Sequence, residues 1–467
     1  PYFLPLVKYY LTFLFIFAII IIIPLIKYNF GINMKIHLDL DCYFVSAERT
    51  RYPFLKDKNV VVAKSSDKKI FSKDKKQGVI LGDTGAFNSV LEFRNHYDAN
   101  NILKAWRDEF LDENGEIHGI VIAKSYECKP YGIKTGTPLR EAIYMCPNLI
   151  IIPSDHLFYQ ELSQKLKAYL EFKIPVLEQY SIDEFFGDLN GWIKDSDTLD
   201  FIKDLRDEIK PKFGLPITIG ASCSKWIAKL LTDCVKPFGV IALEQEKVFD
   251  YTKDIDVNDF PGIGRAISKK LADYRVKTLG ELRARPNLLY LYGKTGVELY
   301  ERICGTDNER VIPYSDRRGI GISRNFKAII DRNEIYRRVM ILARYLSYTI
   351  TKLNLNPTTF YFKIRYEYGI KNSQSITENR LFNEKFLIDL AKFMIKKLDT
   401  RLNYKIHYIA ISASNFASDH NIKTFCLIDY KKDLKYKALN ENLLKVRDKY
   451  GIDIVKYASE AWVEITF

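Results

Sequence analysis

The chain has 467 residues, and its 71 Lys and Arg residues outnumber its 58 Asp and Glu residues, for a net charge of +13. This length allows three or four domains, and a composition of 47% apolar and 28% charged residues excludes a disordered or fibrous chain. Seven scattered cysteines without C-x-x-C spacing exclude a disulfide framework or a zinc finger and fit a reducing cytoplasm, while the basic excess points to a polyanionic partner.

Residues 1–33 differ from the rest of the sequence. Residues 9–26 are nearly all apolar and are just long enough to be considered as a membrane span. A membrane anchor, a signal peptide and upstream sequence foreign to the protein are the alternatives. The first methionine, Met34, stands directly before a predicted strand. We therefore expect residues 1–33 not to be part of the mature fold.

From Met34 onwards, predicted strands and helices alternate, which is typical of an α+β or α/β fold. Residues 36–41 alternate as a strand, a helix follows at residues 42–48, and residues 65–118 read as a polar insertion with a helix at 101–111. Further strands are predicted at residues 60–63, 119–123, 149–153, 217–222, 358–366 and 407–413, and further helices at residues 138–145, 157–170, 199–210, 225–234, 337–353 and 384–398.

The basic charge is concentrated near the C-terminus. Residues 317–415 contain 19 Lys and Arg against 7 Asp and Glu, a local excess of 12. Neutralising each phosphate of a nucleic acid releases counterions, so such a domain is typical of a protein that binds a nucleic-acid backbone.

Acidic residues occur at two places that a fold could bring together. Asp39 and Asp41 end the first strand, while Asp183 and Glu184 lie in the apolar segment 177–188, which predicts a central strand or a hairpin. Adjacent acids on a strand point to opposite faces, so both reach one ion only through a bulge or a close backbone. A Mg²⁺ site that acts on phosphates is one hypothesis, and helix capping or surface ion pairs are the other.

Two further motifs suggest contacts with phosphates. Pro-Gly-Ile-Gly at residues 261–264 precedes a helix, and such glycines let a DNA phosphate approach backbone N–H groups. Lys225 and Lys229 lie on a predicted helix that leads to Lys236-Pro-x-Gly, where a lysine could reach a triphosphate. An ordinary turn and surface lysines are the alternatives.

Taken in order, four motifs resemble those of the Y-family translesion DNA polymerases, the group of DinB and UmuC. They are Asp39-Leu40-Asp41-Cys42-Tyr43-Phe44, Tyr126-x-x-Lys129-x-x-Gly132, Ser181-Ile182-Asp183-Glu184 and Lys236-Pro237-x-Gly239, and the Pro-Gly-Ile-Gly hairpin follows them. The resemblance runs from Met34 to about Asn415 and continues more weakly to the end.

The resemblance implies an α+β multidomain fold shaped like a right hand. The implied domains are a palm at 34–42 and 156–243, fingers at 43–155 with the insertion at about 65–118, a helix-hairpin-helix thumb at 244–313, a little finger at 319–415 and a C-terminal tail at 416–467. The implied activity is error-prone, template-directed DNA synthesis from a primer 3′-hydroxyl in damage tolerance, in the cytoplasm. Two Mg²⁺ ions, or Mn²⁺ as the alternative, would be the cofactors.

The resemblance also implies roles for individual residues. Asp41 matches an acid that the family does not use as a direct ligand. The implied metal ligands are Asp39, Asp183 and Glu184, with the carbonyl of Leu40. The implied nucleotide-binding residues are Tyr43, Phe44, Tyr126, Lys129 and Lys236, with Phe44 as the ring that excludes a 2′-hydroxyl. The implied DNA-binding residues are Gly262, Ile263 and Gly264.

Some features depart from the family or extend beyond it. Many members have arginine where this chain has Lys129, although UmuC-like members carry lysine there. Residues 424–429 resemble the peptide with which bacterial members dock on the sliding clamp, through Phe425, Leu427 and Ile428; a strand or a core helix is the alternative. The implied partners are primer–template DNA, dNTPs, the sliding clamp and, in a UmuC-like enzyme, accessory subunits, without an obligatory homo-oligomer.

Two other functions compete with a polymerase. A membrane-anchored nucleotide cyclase would use a palm-like sheet and the apolar N-terminus, but it does not account for the hairpin or the basic domain. A non-catalytic DNA-binding scaffold would account for the charge, but it does not account for Asp39, Asp183 and Glu184 together.

Overall fold

A computed structural model of the chain describes residues 34–65, 68–71, 78–80, 91–93, 102–112, 114–417 and 427–460. The apolar segment at residues 1–33 and the Phe425 position of the clamp-like peptide lie outside these residues. Across the described ranges, no helix is both long enough and apolar enough to cross a bilayer.

The strands of the described residues form four sheets. They are β1 (Lys35–Leu40), β2 (Val60–Lys64), β3 (Gly78–Ile80), β4 (Leu91–Phe93), β5 (Ile120–Lys124), β6 (Ile150–Pro153), β7 (Val176–Gln179), β8 (Glu184–Asp188), β9 (Ile217–Ser222), β10 (Val240–Leu243), β11 (Gly319–Ile329), β12 (Pro357–Tyr366), β13 (Lys371–Thr377) and β14 (Ile406–Phe416).

The α-helices pack on these sheets or form a separate helical layer. They are α1 (Tyr43–Arg51), α2 (Ile102–Phe110), α3 (Leu139–Met145), α4 (His156–Lys173), α5 (Thr198–Phe213), α6 (Lys225–Val235), α7 (Gln245–Thr252), α8 (Arg265–Asp273), α9 (Leu279–Arg283), α10 (Asn287–Tyr290), α11 (Lys294–Cys304), α12 (Arg332–Lys352), α13 (Glu384–Leu398) and α14 (Leu427–Tyr450).

The described residues form two compact units, and the first comprises those within Pro1–Thr50 and Ser163–Pro313. Its sheet has the order β10-β9-β1-β8-β7, so β1 is the central strand and pairs antiparallel with both β8 and β9. All six residues of β1 are buried, as expected for a strand covered on both faces. The backbone at the end of β1 is therefore held in place by a strand on each side.

Helix α6 lies unusually close to this sheet. A side chain at Gly220 of β9 would meet the carbonyl oxygen of Ala228 at 2.4 Å and the backbone nitrogen of Thr232 at 2.7 Å. The hydroxyl of Thr232 also contacts Nδ1 of His37 on β1 at 3.0 Å. Only glycine permits this approach, and the polar contact fixes the position of the helix along the strand.

The helices from α7 to α11 continue the core of this unit. Phe260, Ile263, Leu271 and Leu299 are buried together, and their cluster extends to Trp226 and Ile227 at the start of α6. The turn before α8 therefore has an apolar foundation although its backbone faces solvent.

The second unit comprises Arg51–Leu162 and Tyr314–Phe467. It contains the sheet β5-β2-β6, in which β2 runs parallel to β6, and the antiparallel sheet β11-β14-β12-β13. Helices α12 and α13 cover one face of the larger sheet. Alternate residues of its strands are therefore buried, such as Phe360, Phe362 and Ile364 on β12.

A short segment of the predicted insertion joins the core of the larger sheet. Lys68–Phe71 is a 3₁₀ helix, and Ile70 and Phe71 are buried among residues of β11, α12 and β12. The ring of Phe71 meets Phe326 edge to face at 5.9 Å, and Arg337 donates to the carbonyl of Phe71 at 3.1 Å. This part of the insertion is therefore a packed element of the second unit.

Buried ion pairs hold helix α14 against α13 and the segment after α14 against α12. Arg447 donates to Glu384 at 2.6 Å, and both side chains are almost fully buried. Beyond the helix, Arg344 of α12 has no exposed surface and bonds Glu460 and Asp453. A buried arginine needs such partners, so removing one acid would leave an uncompensated charge.

Most of the predicted elements are confirmed. The strand and helix at the start, the hairpin in segment 177–188 and the other predicted strands and helices occur within a few residues of their expected bounds. Helix α14 was not predicted, because its apolar residues do not form one clear face. The predicted domain limits stay predictions.

We expect Phe71→Ala to lower the free energy of unfolding of the second unit by about 3 kcal/mol, because it removes a buried aromatic ring. The measurement is the urea-unfolding midpoint. Phe393→Ala is the matched control, because Phe393 lies in the same unit but is 60% exposed. Equal shifts in the two variants would contradict the burial of Phe71.

Candidate active site

Two of the three predicted metal-binding acids, Asp39 and Glu184, face each other at one end of the central sheet, and the third, Asp183, lies in the adjoining turn, outside their cluster of ligand atoms. Asp39 on β1 lies directly opposite Glu184 on β8 in the antiparallel register. Asp183 stands one residue before β8, and its carbonyl accepts a hydrogen bond from the backbone nitrogen of Leu40 at 3.0 Å. The ladder between β1 and β8 therefore brings together acids that are far apart in sequence.

Asp183 lies in the hairpin turn and not on the regular strand. The hydroxyl of Ser181 donates to Oδ1 of Asp183 and accepts from the backbone nitrogen of Glu184 at 3.2 Å. The strict alternation expected for two adjacent acids on a strand therefore does not apply to Asp183 and Glu184. Burial raises the pKa of Asp183, although the hydrogen bond from Ser181 opposes this.

Asp39 is buried and is paired with the predicted triphosphate-binding lysine. Nζ of Lys236 donates to Oδ2 of Asp39 at 2.8 Å and to Asp233 at the same distance. Burial raises the pKa of Asp39 to about 7, while the ammonium of Lys236 acts in the opposite direction. The site thus favours a cation next to Asp39.

Glu184 is flanked by a lysine and a histidine. Nζ of Lys229 donates to Oε1 at 2.7 Å, and Nε2 of His37 lies 3.9 Å from Oε2, too far for a hydrogen bond. Burial lowers the pKa of His37 to about 4, so its ring is neutral at pH 7. Burial opposes ionisation of Glu184, but His37 and Lys229 together lower its pKa to about 2.

Asp41 has a structural environment. Its two carboxylate oxygens accept from the hydroxyl of Thr218 at 3.0 Å, and Oδ2 also accepts from the backbone nitrogen of Phe238 at 2.8 Å. Asp41 therefore joins the end of β1 to β9 and to the turn before β10, and its implied role as an acid that does not bind the metal stays a prediction.

The donor set fits a divalent cation. One ligand atom from each of His37, Asp39 and Glu184 lies within 4.8 Å of the others. The hydroxyl of Thr232 donates to the carbonyl of Ala228, so it accepts from Nδ1 of His37. Nε2 is then left with a lone pair and no hydrogen-bond partner beside a carboxylate. A cation would satisfy both groups, and carboxylate oxygens suit Mg²⁺.

Tyr43 and Phe44 begin α1, immediately after the acids of β1. Tyr43 is 3% exposed and packs beside Phe44 with 5.6 Å between ring centres, whereas Phe44 is half-buried. Cys42 makes the sharp turn between strand and helix with a φ of 49°. Phe44 thus lies just after the strand that carries Asp39 and the turn that contains Asp41.

Tyr126 and Lys129 belong to the second unit. They lie on the 3₁₀ helix Tyr126–Tyr131, with Nζ of Lys129 4.4 Å from the centre of the Tyr126 ring. Tyr126 is half-buried and Lys129 is exposed. The pair is therefore accessible to an anion, and its nucleotide-binding role stays a prediction.

The Pro-Gly-Ile-Gly hairpin presents backbone to solvent. Gly262 has a φ of 105°, and Gly264 is the N-cap of α8 with open space where a side chain would be. Between these exposed glycines, the side chain of Ile263 is buried in the helical core. This arrangement leaves the N–H groups at the start of α8 free to approach a phosphate.

Among the described residues, no helix covers the second face of the larger sheet of the second unit. Small residues line it on β11 and β14, including Gly321, whose Cβ would lie 2.7 Å from Cβ of Ser412. Lys363 and Arg365 alternate with the buried residues of β12 and therefore point to this face. A groove of about 810 Å³ opens along it and also contacts Lys64.

The described residues of the clamp-like peptide are exposed. Leu427 and Ile428 begin α14 and are 87% and 92% exposed. Leu427 and Ile428 therefore do not pack in a core, as the alternative interpretation of a core helix would require, and clamp docking stays a prediction.

No motif pointed to His37 as a site residue, and Lys229 was considered only as part of the Lys225–Lys229–Lys236 motif that could reach a triphosphate. His37 is two residues from Asp39 on the same face of β1, and Lys229 is two helical turns from Lys236, so both spacings were visible. The sequence lacked the pairing of β1 with β8, which alone shows that the two side chains meet at Glu184.

Comparison with known proteins identifies relatives of both units. The sequence model of the impB/mucB/samB family matches residues 38–233, and that of its C-terminal domain matches residues 317–424. DNA polymerase IV of Clostridium kluyveri is 29% identical over 73% of this chain and 88% of its own length. DNA polymerase IV of Listeria monocytogenes serotype 4a is 26% identical over 73% of this chain and 96% of its own length.

Solved structures share the fold. A Y-family DNA polymerase chimera of Dbh and Dpo4 has a TM-score of 0.63 at 19% identity, covering 82% of this chain and 99% of its own. The insertion ternary complex of Dbh DNA polymerase has a TM-score of 0.53 at 18% identity with the same coverage. These matches bear out the α+β multidomain fold. The chain therefore belongs to the impB/mucB/samB family, the Y-family DNA polymerases.

Proposed function

We propose that this chain is a template-directed, error-prone DNA polymerase that extends a primer 3′-hydroxyl with dNTPs past damaged template bases. The observation that carries the proposal is that Asp39 and Glu184 face each other at the end of the central strands, with Asp183 in the adjoining turn, directly before the helix that carries Phe44. Family membership supports the same activity.

Asp39, Asp183 and Glu184 would hold two Mg²⁺ ions, with the carbonyl of Leu40 as a further ligand and Mn²⁺ as an alternative metal. Ions held by these residues would supply the positive charge that lowers the pKa of the attacking hydroxyl and neutralises the leaving pyrophosphate. The carboxylates would hold the ions in a largely buried site, where the attraction between the ions and the phosphate charges is stronger than in water.

Other residues would bind and select the nucleotide. Lys236 is already beside Asp39 and would pair with the triphosphate, as would Tyr126 and Lys129 of the second unit. Phe44 would lie against the sugar and exclude a 2′-hydroxyl by its bulk. Tyr43, buried behind it, would hold the ring in place.

The DNA duplex would be held by backbone and charge. The N–H groups of Gly262 and Gly264 suit the phosphates of one strand, whereas Ile263 would hold this turn in place, because its own N–H donates to the carbonyl of Phe260 at 3.1 Å. The open face with Lys363 and Arg365 suits a further stretch of backbone. The exposed Leu427 and Ile428 support docking on a sliding clamp. Accessory subunits would be added partners in a UmuC-like enzyme.

We expect the double variant Asp183→Ala/Glu184→Ala to lose primer extension by about 1,000-fold or more, because several kcal/mol of charge stabilisation are removed. The assay uses the full chain, a primed oligonucleotide, Mg²⁺ and four dNTPs.

The matched control is Asp207→Ala/Glu208→Ala, which removes an adjacent Asp–Glu pair from the exposed face of α5. Extension that survives in the Asp183/Glu184 variant would refute the metal site. DNA binding by the wild type without extension would favour the scaffold, and the absence of both would contradict the proposed polymerase activity.

We expect Phe44→Ala to raise incorporation of ribonucleotides relative to deoxyribonucleotides by about 10- to 100-fold, because a clash worth about 1–3 kcal/mol disappears. The ratio of kcat/KM for the two nucleotides measures this. Phe54→Ala, at a ring that is 49% exposed on the second unit, is the control and should leave the ratio unchanged. An unchanged ratio in Phe44→Ala would argue against the steric role.

We expect Lys363→Ala/Arg365→Ala to reduce the salt dependence of DNA binding. The slope of log K against log salt should fall in magnitude by about 2, because two phosphate contacts are lost. Lys396→Ala/Lys397→Ala, on the exposed side of helix α13, controls for the loss of net charge. The same slope change in both variants would refute a specific role for the open face.

A further inference from the structure

Lys229 pairs with one of the two carboxylate oxygens through which Glu184 could bind a cation. Its side chain is 15% exposed, and Nζ is 2.7 Å from Oε1 of Glu184. Gly220 and Thr232 fix α6 against the sheet, so the base of the lysine is fixed as well. The ammonium therefore neutralises Glu184 before any metal arrives.

Lys236 is in a different situation. It divides its ammonium between Asp39 and Asp233, both at 2.8 Å, so it has an alternative partner when Asp39 is engaged. Within the described residues, the ammonium of Lys229 pairs with Glu184 and lies 5.7 Å from the centre of the Tyr180 ring.

From this geometry we propose that Lys229 is the resident counter-ion of Glu184 and that a divalent ion must displace it in order to bind. The inference rests on the proposed metal-binding role of Asp39, Asp183 and Glu184. A Mg²⁺ ion binds carboxylate oxygen at about 2.1 Å, which would place it within a few ångströms of the ammonium if Lys229 stayed. Two cations so close repel each other, and the flexible lysine stem lets the ammonium withdraw.

This arrangement serves two purposes. Without metal, Lys229 keeps the facing acids Asp39 and Glu184 from destabilising the sheet edge through repulsion and burial. During metal binding, its displacement opposes the ion, so the site binds metal more weakly than its carboxylates alone would. Lys229 is thus a positioning residue that sets metal affinity.

The test measures Mn²⁺ binding to the full chain without DNA or nucleotide, from the electron paramagnetic resonance signal of free Mn²⁺. We expect Lys229→Met to bind Mn²⁺ about tenfold more tightly than the wild type, because a competing charge at contact distance is gone, with solvent screening limiting the gain. Without metal, Lys229→Met should unfold at a lower temperature than the wild type. Added Mn²⁺ should reduce this difference in unfolding temperature.

Two variants control for other effects. Lys225→Met removes a lysine one turn earlier on α6, which pairs with Glu178 at the same 2.7 Å, and it should not tighten Mn²⁺ binding. Lys229→Arg restores the charge and should bind Mn²⁺ as the wild type does. If Lys229→Met does not fold, Lys229→Gln removes the charge while keeping a hydrogen-bond donor and should show the same tightening.

Mn²⁺ binding by the neutral Lys229 variants that is equal to or weaker than that of the wild type would overturn the inference. A different result would show failure of the metal site itself. In that case the wild type binds no Mn²⁺, or Asp183→Ala/Glu184→Ala binds it equally well, and the counter-ion role falls with the site. Primer extension tests the polymerase separately, so the two failures are distinguishable.

Discussion

The close approach of helix α6 to the central sheet is the constraint on which the site depends. Gly220 allows the helix to lie directly on β9, and Thr232 ties it to His37 on β1. Because the helix cannot slide or tilt without a clash, Lys229 and the residue after the helix, Lys236, are delivered to the two facing acids. The acids and their counter-ions are therefore positioned by packing that lies behind them and does not touch substrate.

This arrangement explains how three carboxylates coexist at a buried sheet edge. Burial raises the pKa of Asp39 and Asp183, so these groups hold protons more readily than exposed acids. Lysines at contact distance offset that tendency and keep the edge close to neutral overall. A site built this way is stable without metal yet remains receptive to cations, since each ammonium can leave on a flexible side chain.

Much of this could be predicted from the sequence. The alternation of residues 36–41 and the apolar segment 177–188 located the strands, and their motifs located Asp39, Asp183 and Glu184. What could not be predicted depends on contacts distant in sequence. The turn at Ser181 removes Asp183 from the strand pattern, and the pairing of β1 with β8 decides that His37 and Lys229 meet Glu184. Likewise, polar flanks hid the burial of Ile70 and Phe71 in a distant core.

Asp41 has a consequence for how the chain is made. Its carboxylate bonds Thr218 and Phe238, which are 177 and 197 residues further along the chain. During synthesis the central sheet therefore cannot close around β1 until roughly half of the protein has left the ribosome. Until β8 and β9 have been made, β1 lacks its strand partners, and an unpaired strand is the kind of segment that aggregates or recruits chaperones. Slow translation of the residues between Asp41 and Phe238 would thus lower the yield of active protein, although the contacts of the folded state would be the same.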